Sequence, residues 1–336
     1  MKLWYFIMKR LFLMVIVLFG ILVLVFFITK IIPADPVGAL LGGNAPPELV
    51  DELKHKLGLD KPLIIQFVDY MKGALKGDFG ISLKTNRPVI EDIKEYFPAT
   101  MELAIFAIII AVGIGIPLGI FSAVKRNSVV DHFSRIFSIL GVSMPVFWTG
   151  LLLLLLFYYK LDLLPGSGRL ELFIIPPEPK TGLIILDALL EGNWEAFWDG
   201  LKHIILPAFV LGYASSASIA RMTRASVLDV LRQDYIRTAK AKGLPKRLVI
   251  YKHALKNALI PVVTLIGLRF GSLLEGAVLT ETIFGWPGLG RYIVNALLVL
   301  DYPSVMGGTV FIALIYSLAN LVVDITYAVL DPRMRI

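Results

Sequence analysis

The sequence of 336 residues contains no cysteine and only four histidines. The first absence excludes a disulfide framework and any thiolate metal site, and the scattered histidines form no cluster to replace them. Charge is scarce too: 18% of residues are Asp, Glu, Lys or Arg, 57% are hydrophobic, and the mean hydropathy is +0.77. A soluble domain of this length is excluded by that balance. Nothing reads as G-x-x-x-x-G-K-[ST], H-E-x-x-H or G-x-S-x-G, so neither a phosphate-cradling loop nor a hydrolytic centre is encoded. GALKGDFG at 73–80 has the glycines of a phosphate loop but not its terminal Lys-Ser/Thr. No basic module with stacking aromatics accompanies the net charge of +7, which therefore reads as membrane orientation and lipid contact, not nucleic-acid binding. The chain is expected to hydrolyse nothing itself and to hold no metal or cofactor.

What is present is a series of apolar runs of membrane-spanning length at 11–32, 99–124, 135–160, 203–222, 258–283 and 304–330. They predict an all-α polytopic membrane protein with about six transmembrane helices. The first run is too long for a signal-peptide core and lacks small residues at a cleavage site, so it is read as a retained span. The 203–222 run is the weakest, and its Gly-Tyr-Ala-Ser-Ser-Ala-Ser segment suits close helix packing better than lipid contact. Charge bias sets the orientation. Lys2, Lys9, Arg10, Lys125, Arg126, Arg135, the 221–261 loop, Arg333 and Arg335 all fall on one side, whereas Asp187, Glu191, Glu195 and Asp199 mark the other. Both termini are then cytoplasmic. The expected organisation is residues 1–32 as N-terminus and first span, 33–98 as an extracytoplasmic segment and 99–336 as a core of five spans.

Within 33–98, Pro46 or Pro47 can open a helix with Leu49, Val50, Leu53 and Leu57 on one face, ended by Gly58, and 63–75 reads as a second helix. This segment is either a cap on the mouth of the bundle or a ligand contact. A cysteine at Ser82 is expected to react with impermeant reagents from outside. Trp286-Pro-Gly reads as a rigid outer turn with the indole anchored at headgroup depth.

The basic loop at 221–261 is longer than a connector needs. Val227, Leu231, Tyr235 and Ala239 recur at four-residue steps on one helix face, with Arg232, Arg237 and Lys240 off it. Gly243 offers a left-handed cap, Pro245 blocks continuation of the same helix, and helical spacing resumes over 248–257 with Lys252 and Lys256. Helix, turn, helix on the membrane surface is expected. Its basic residues serve orientation alone, or they belong to a docking element for a soluble partner.

Arg237-Thr238-Ala239 stands four residues before Gly243, and Ala239-Lys240-Ala241-Lys242-Gly243-Leu244-Pro245 is followed by His253-Ala-Leu-Lys-Asn257-Ala-Leu-Ile-Pro261. This stretch resembles the EAA loop of ABC importer permeases, in the form used by the dipeptide/oligopeptide branch. Arg237 and Thr238 depart from the general Glu-Ala pair. The likeness extends along the chain through Ile32-Pro-Ala-Asp-Pro36, 57–66, Gly77 to Ser82, Ser143-Met-Pro145-Val-Phe147-Trp148, Leu164-Pro-Gly-Ser-Gly168, 281–291, Asp301-Tyr-Pro303 and Leu330-Asp-Pro-Arg333. The resemblance implies a type I importer permease fold, with Arg237 to Pro245 entering a socket on an ATPase subunit. It also implies a second homologous permease, two ABC ATPases that carry the ATP and magnesium, an extracytoplasmic substrate-binding protein and a di- or oligopeptide cargo. Nickel and oligosaccharide importers share the branch, and with no His or Cys cluster in the spans nickel ranks below peptide. A self-contained channel or ion-coupled carrier, or a membrane scaffold, is the contrasting class, although no internal repeat supports a carrier.

Arg269, Glu275 and Asp324 are charges that fall within spans. Such charges are expected to pair or to face water, and they mark a translocation path. Arg269 and Asp324 lie at similar depths from one side and are expected to pair, with a wet vestibule as the alternative for Arg269.

Overall fold

A computed structural model of the chain describes residues 3–31, 46–56, 58 and 60–330. Ile32-Pro-Ala-Asp-Pro36, Leu57, Leu59, the 331–336 tail and Lys2 lie outside the described residues. The helices are α1 (Leu3–Ile31), α2 (Pro47–Lys56), α3 (Leu63–Leu75), α4 (Val89–Val124), α5 (Val129–Ser143), α6 (Val146–Leu153), α7 (Ile184–Glu191), α8 (Trp194–Leu231), α9 (Asp234–Ala241), α10 (Lys246–Leu248), α11 (Leu255–Ala258), α12 (Ile260–Ile283), α13 (Leu289–Leu298) and α14 (Tyr302–Leu330). Leu154–Lys160 and Val249–Ala254 are π-helical. Among the described residues the extended backbone forms a single bridge, between Ile81 and Pro88.

Five helices are long and apolar enough to cross a membrane, or six if the α5–α6 pair is one span. That pair departs from the single straight run expected at 135–160, because it bends by 110°. Met144 sits in extended conformation at ψ 127° before Pro145. Proline lacks an N–H and disfavours the helical region for the residue before it, so the helix has to stop there. The second span also differs from expectation. Helix α4 starts at Val89 and runs through Pro98, so the boundary expected at 98 falls inside a helix.

The centre of the bundle is α8 against α4. Of the most apolar window of α8, 78% is buried, against 11% for α1, so the weakest run by hydropathy is the core helix and the strongest is peripheral. Small residues cause this. A Cβ on Gly212 would stand 2.5 Å from the Ala107 carbonyl oxygen, and one on Gly119 would stand 2.6 Å from that of Ala220. Glycine at these places lets the two backbones touch. Around this pair, Leu103, Ala107, Ile204, Ala208, Leu273 and Trp286 form the largest buried cluster and bring in α12. Helices α1 and α14 run antiparallel, with Phe26 near Tyr302 and Met306 at one end and Arg10 near Asp324 at the other. The two short helices α2 and α3 form as expected, and Phe67 and Tyr70 of α3 pack on the Phe26 end of α1. One end of the bundle therefore gathers Arg10, Lys125, Arg126, Arg135 and the 221–258 segment; it is the basic end.

Candidate functional site

At the basic end, α8 carries its helix beyond the bundle to Leu231. The chain then breaks at Gln233, which is extended at ψ 151°, and α9 begins with Asp234 in its first turn, where a carboxylate complements the helix dipole. Val227 and Leu231 thus belong to α8 and only Tyr235 and Ala239 to α9, which corrects the single helix face expected for all four. Tyr235 in fact points outward at 42% exposure, and the buried face of α9 is Ile236 with Ala239. Gly243 stands at φ +74° with open space where a Cβ would be, so its role is conformational: it supplies the left-handed turn the sequence predicts. Pro245, extended at ψ 142°, starts α10. The following run is helical, but through a π-helical stretch at Val249–Ala254.

This hairpin is mounted rigidly. Ile236 and Ala239 pack on Val249 and Ala254 with Val230, Leu231 and Leu244, and the π-helix in turn rests through Ile250 on Ile120, Ala123 and Val227. Asn257 Nδ2 donates to the Tyr235 hydroxyl at 2.8 Å, and the Thr238 hydroxyl donates to the Asp234 carbonyl at 3.0 Å. Arg237, Thr238, Lys240, Ala241, Lys242, Gly243 and Pro245 are exposed, Leu244 is half-buried and Ala239 is buried. Beside them lies a cavity of about 410 Å³ lined by Val124, Leu231, Lys240, Leu244, Lys246 and Val249. Beneath the hairpin, buried Asp131 accepts from Arg224 Nε at 2.7 Å, Arg135 at 2.7 Å, the Ser122 hydroxyl at 2.6 Å and the Asn127 N–H at 3.0 Å. That carboxylate ties α4, α5 and α8 together where the hairpin leaves the bundle. Arg135, expected only as an orientation charge, is one of its partners.

The intramembrane charges do not meet. Asp324 pairs with Arg10 at 3.1 Å, and Arg269 donates to the Ser218 hydroxyl at 3.1 Å, so the expected Arg269–Asp324 pair does not form. Helices α12 and α14 do adjoin, through Gly267 against Val323 and Gly271 against Asn320 and Tyr316. Arg269 falls between those glycines, and at about 100° per residue two steps turn it toward α8. Glu275 is exposed and lines a cleft of about 560 Å³ between α1 and α14 together with Tyr316, Ser317 and Asn320.

At the other end the polar motifs are turned inward. Glu281 is wholly buried; its carboxylate accepts from the Thr100 hydroxyl at 2.5 Å and the Arg291 N–H at 2.8 Å. A Cβ on Gly288 would overlap that carboxylate, which explains the glycine spacing of 281–291. Trp286 is 1% exposed and donates to the Ala99 carbonyl at 2.8 Å, so it is a core side chain and not a headgroup anchor. Ser82 is 1% exposed and donates to Asp301 at 2.6 Å, which closes it to thiol labelling; exposed Lys84 is the position that reports the side. Burial pushes the Asp187 carboxyl upward, but hydrogen bonds from the Thr181 hydroxyl and the N–H groups of Thr181 and Gly182 outweigh it and leave it below its usual value. Glu102, also buried, holds Arg169 at 2.5 Å and the Ile185 N–H at 2.8 Å.

Known proteins resemble this chain over its full length. Residues 3–104 match the family described as binding-protein-dependent transport system membrane component, N-terminal, and residues 115–336 match the binding-protein-dependent transport system inner membrane component. The probable D,D-dipeptide transport system permease protein DdpB of Escherichia coli is 47% identical over 334 residues, 99% of this chain and 98% of that one. The dipeptide transport system permease protein DppB of Alkalihalophilus pseudofirmus is 47% identical over 331 residues, and the di/tripeptide transport system permease protein DppB of Pseudomonas aeruginosa 46% over 331, each comparison covering 98% of both chains. A bundle of apolar helices with a mounted basic hairpin at one end, matched in both halves, belongs to the family of binding-protein-dependent transport system inner membrane components.

Proposed function

We propose that this chain is the membrane-spanning half of an ATP-driven importer that moves dipeptides or oligopeptides into the cytoplasm by alternating access. The observation that carries the reading is the α9 hairpin. Its outer face is free, its inner face is packed through the π-helix onto α4 and α8, and it is covalently continuous with α8 on one side and α12 on the other. A push on such a knob is delivered to the two spans it joins, because packed elements transmit displacement and do not absorb it. Arg237, Thr238, Lys240, Ala241, Lys242, Gly243 and Pro245 offer the contact surface for an ATPase subunit. Ala239 and Leu244 hold the hairpin's shape from within.

A second homologous permease completes the pathway, two ATPase subunits supply ATP and magnesium chemistry, and an extracytoplasmic binding protein delivers the cargo. The membrane component is not the hydrolysing subunit. Arg10, Arg237 and the rest of the basic end face the cytoplasm in this reading, in line with the bias of Lys and Arg toward that side. Relatives named for dipeptides and tripeptides favour peptide over nickel or oligosaccharide as cargo.

The test is Gly243→Val in the assembled importer, reconstituted in vesicles. A β-branched residue in the left-handed region costs about 1–2 kcal/mol locally, enough to refold the turn without unfolding the bundle. Uptake of a labelled dipeptide is expected to fall about tenfold or more, with insertion and thermal stability of the spans retained. Wild-type uptake and ATPase stimulation in this variant would remove the hairpin from the mechanism.

A further inference from the structure

We propose that Glu171, Asp199 and His203 form a binding site for a divalent transition-metal cation of the zinc type, at the end of the bundle opposite the basic hairpin. Asp199 and His203 stand four residues apart on the first turns of α8 and so share one face. Glu171 arrives from the 161–183 segment. One ligand atom from each of the three lies within 4.8 Å of the others.

The histidine is what makes this more than a patch of acids. His203 is 4% exposed, and its Nδ1 lies 2.9 Å from the Asp199 main-chain carbonyl. A carbonyl only accepts, so Nδ1 carries a proton, which also faces Asp199 Oδ2 at 3.2 Å. Among the described residues no donor faces Nε2. Its neighbour is Glu171 Oε2 at 3.8 Å, a second acceptor. A second ring proton or a metal cation between them reconciles Nε2 with the facing carboxylate, and a third ligand within 4.8 Å on Asp199 suits the cation. Metal-bound histidines show this same anchoring of the other ring nitrogen on a carbonyl or carboxylate.

The distances fit. Ligand atoms about 2.0–2.2 Å from a tetrahedral zinc stand roughly 3.3–3.6 Å apart, so the Nε2–Oε2 gap needs to close by only a few tenths of an ångström. Glu171, whose side chain is 63% exposed, is free to make that movement. Asp199 Oδ2 accepts from the Glu171 N–H at 2.8 Å and lies 3.2 Å from His203 Nδ1, so Oδ1 is the oxygen offered to the cation. One nitrogen and two carboxylates, with water in the fourth position, suit zinc and its neighbours in the first transition row; they suit calcium and magnesium, which prefer all-oxygen shells, less well. Bound there, the cation fastens the segment carrying Leu172 and Phe173, 95% and 94% exposed, to the start of the core helix.

The experiment uses the chain with its co-purified partners and a tag free of histidine, stripped with chelator and dialysed against zinc. Mass-spectrometric metal content is expected to give one zinc per chain with the wild type. Glu171→Gln and Asp199→Asn are each expected to weaken binding about tenfold or more. Zinc is also expected to raise the unfolding temperature of wild type and not of Glu171→Gln. Glu171 is exposed, so this variant keeps the test readable even if His203→Gln does not fold. Zinc content at background in the wild type, or equal retention in wild type, Glu171→Gln and Asp199→Asn, overturns the site and leaves His203 as a protonated partner of the two carboxylates.

Discussion

The two ends of the bundle use polar residues in opposite senses. At the basic end, α9 and its turn direct Arg237, Thr238, Lys240 and Lys242 outward, and the apolar mount lies behind them. At the other end, Ser82, Thr100, Glu281, Asp301 and Ser304 are each at or below 2% exposure and bond to one another or to the backbone. A polar motif is therefore not by itself a contact surface. The motifs at that end brace loops against spans, because a buried polar group is tolerated only when it is paired. The basic hairpin leaves its groups to solvent, where a partner can take them up.

Substitutions at the two ends should separate along that line. The largest effect is expected at Glu281→Ala, which strands the Thr100 hydroxyl and the Arg291 N–H in a buried site. At about 1–3 kcal/mol for each stranded donor the loss is about 2–6 kcal/mol, read as reduced yield and thermal stability in detergent, with Glu281→Gln recovering part. Asp301→Ala comes next. The hydroxyls of Ser82 and Ser304 lose their shared acceptor but can turn to other oxygens, so a loss of about 1–3 kcal/mol is expected, together with new reactivity of a cysteine at position 82.

Arg237→Glu should do the reverse of both. Its side chain is 75% exposed, so stability should stay within about ±0.5 kcal/mol, while recovery of ATPase subunits on co-purification falls. If Arg237→Glu unfolds the chain, or Glu281→Ala spares it and abolishes subunit binding, the contrast between the ends fails. The smallest effect is expected for Arg10 with Asp324, a pair 44% and 25% exposed. A double-mutant cycle on thermal stability should give about 0.2–1 kcal/mol of coupling, and the corresponding cycle for Arg269 with Asp324 should give none.

Element type and the helix-Gly-Pro hairpin were legible in the sequence because their causes are local. Apolar runs of sufficient length can satisfy their backbone in a bilayer only as helices. Gly243 and Pro245 act through φ and a missing N–H, and the structure shows the left-handed turn they predict. Small residues in 212–218 signalled a core helix for the same kind of reason, since they permit a close approach whichever partner makes it. Tertiary structure decided the rest. Nothing in the local sequence says that Arg269 turns toward Ser218, because that depends on Gly267 and Gly271 being the face of α12 that meets α14. Asp199 and His203 stand four residues apart, but Glu171 stands 28 residues before Asp199 and reaches them only through the path of the loop. Trp286 looked like an interfacial anchor by residue type. Only the fold places it against α4, where the Ala99 carbonyl accepts the indole N–H at 2.8 Å. Local chemistry sets which elements form; which side chains meet is set by helix rotation and loop path, and those are properties of the packed whole.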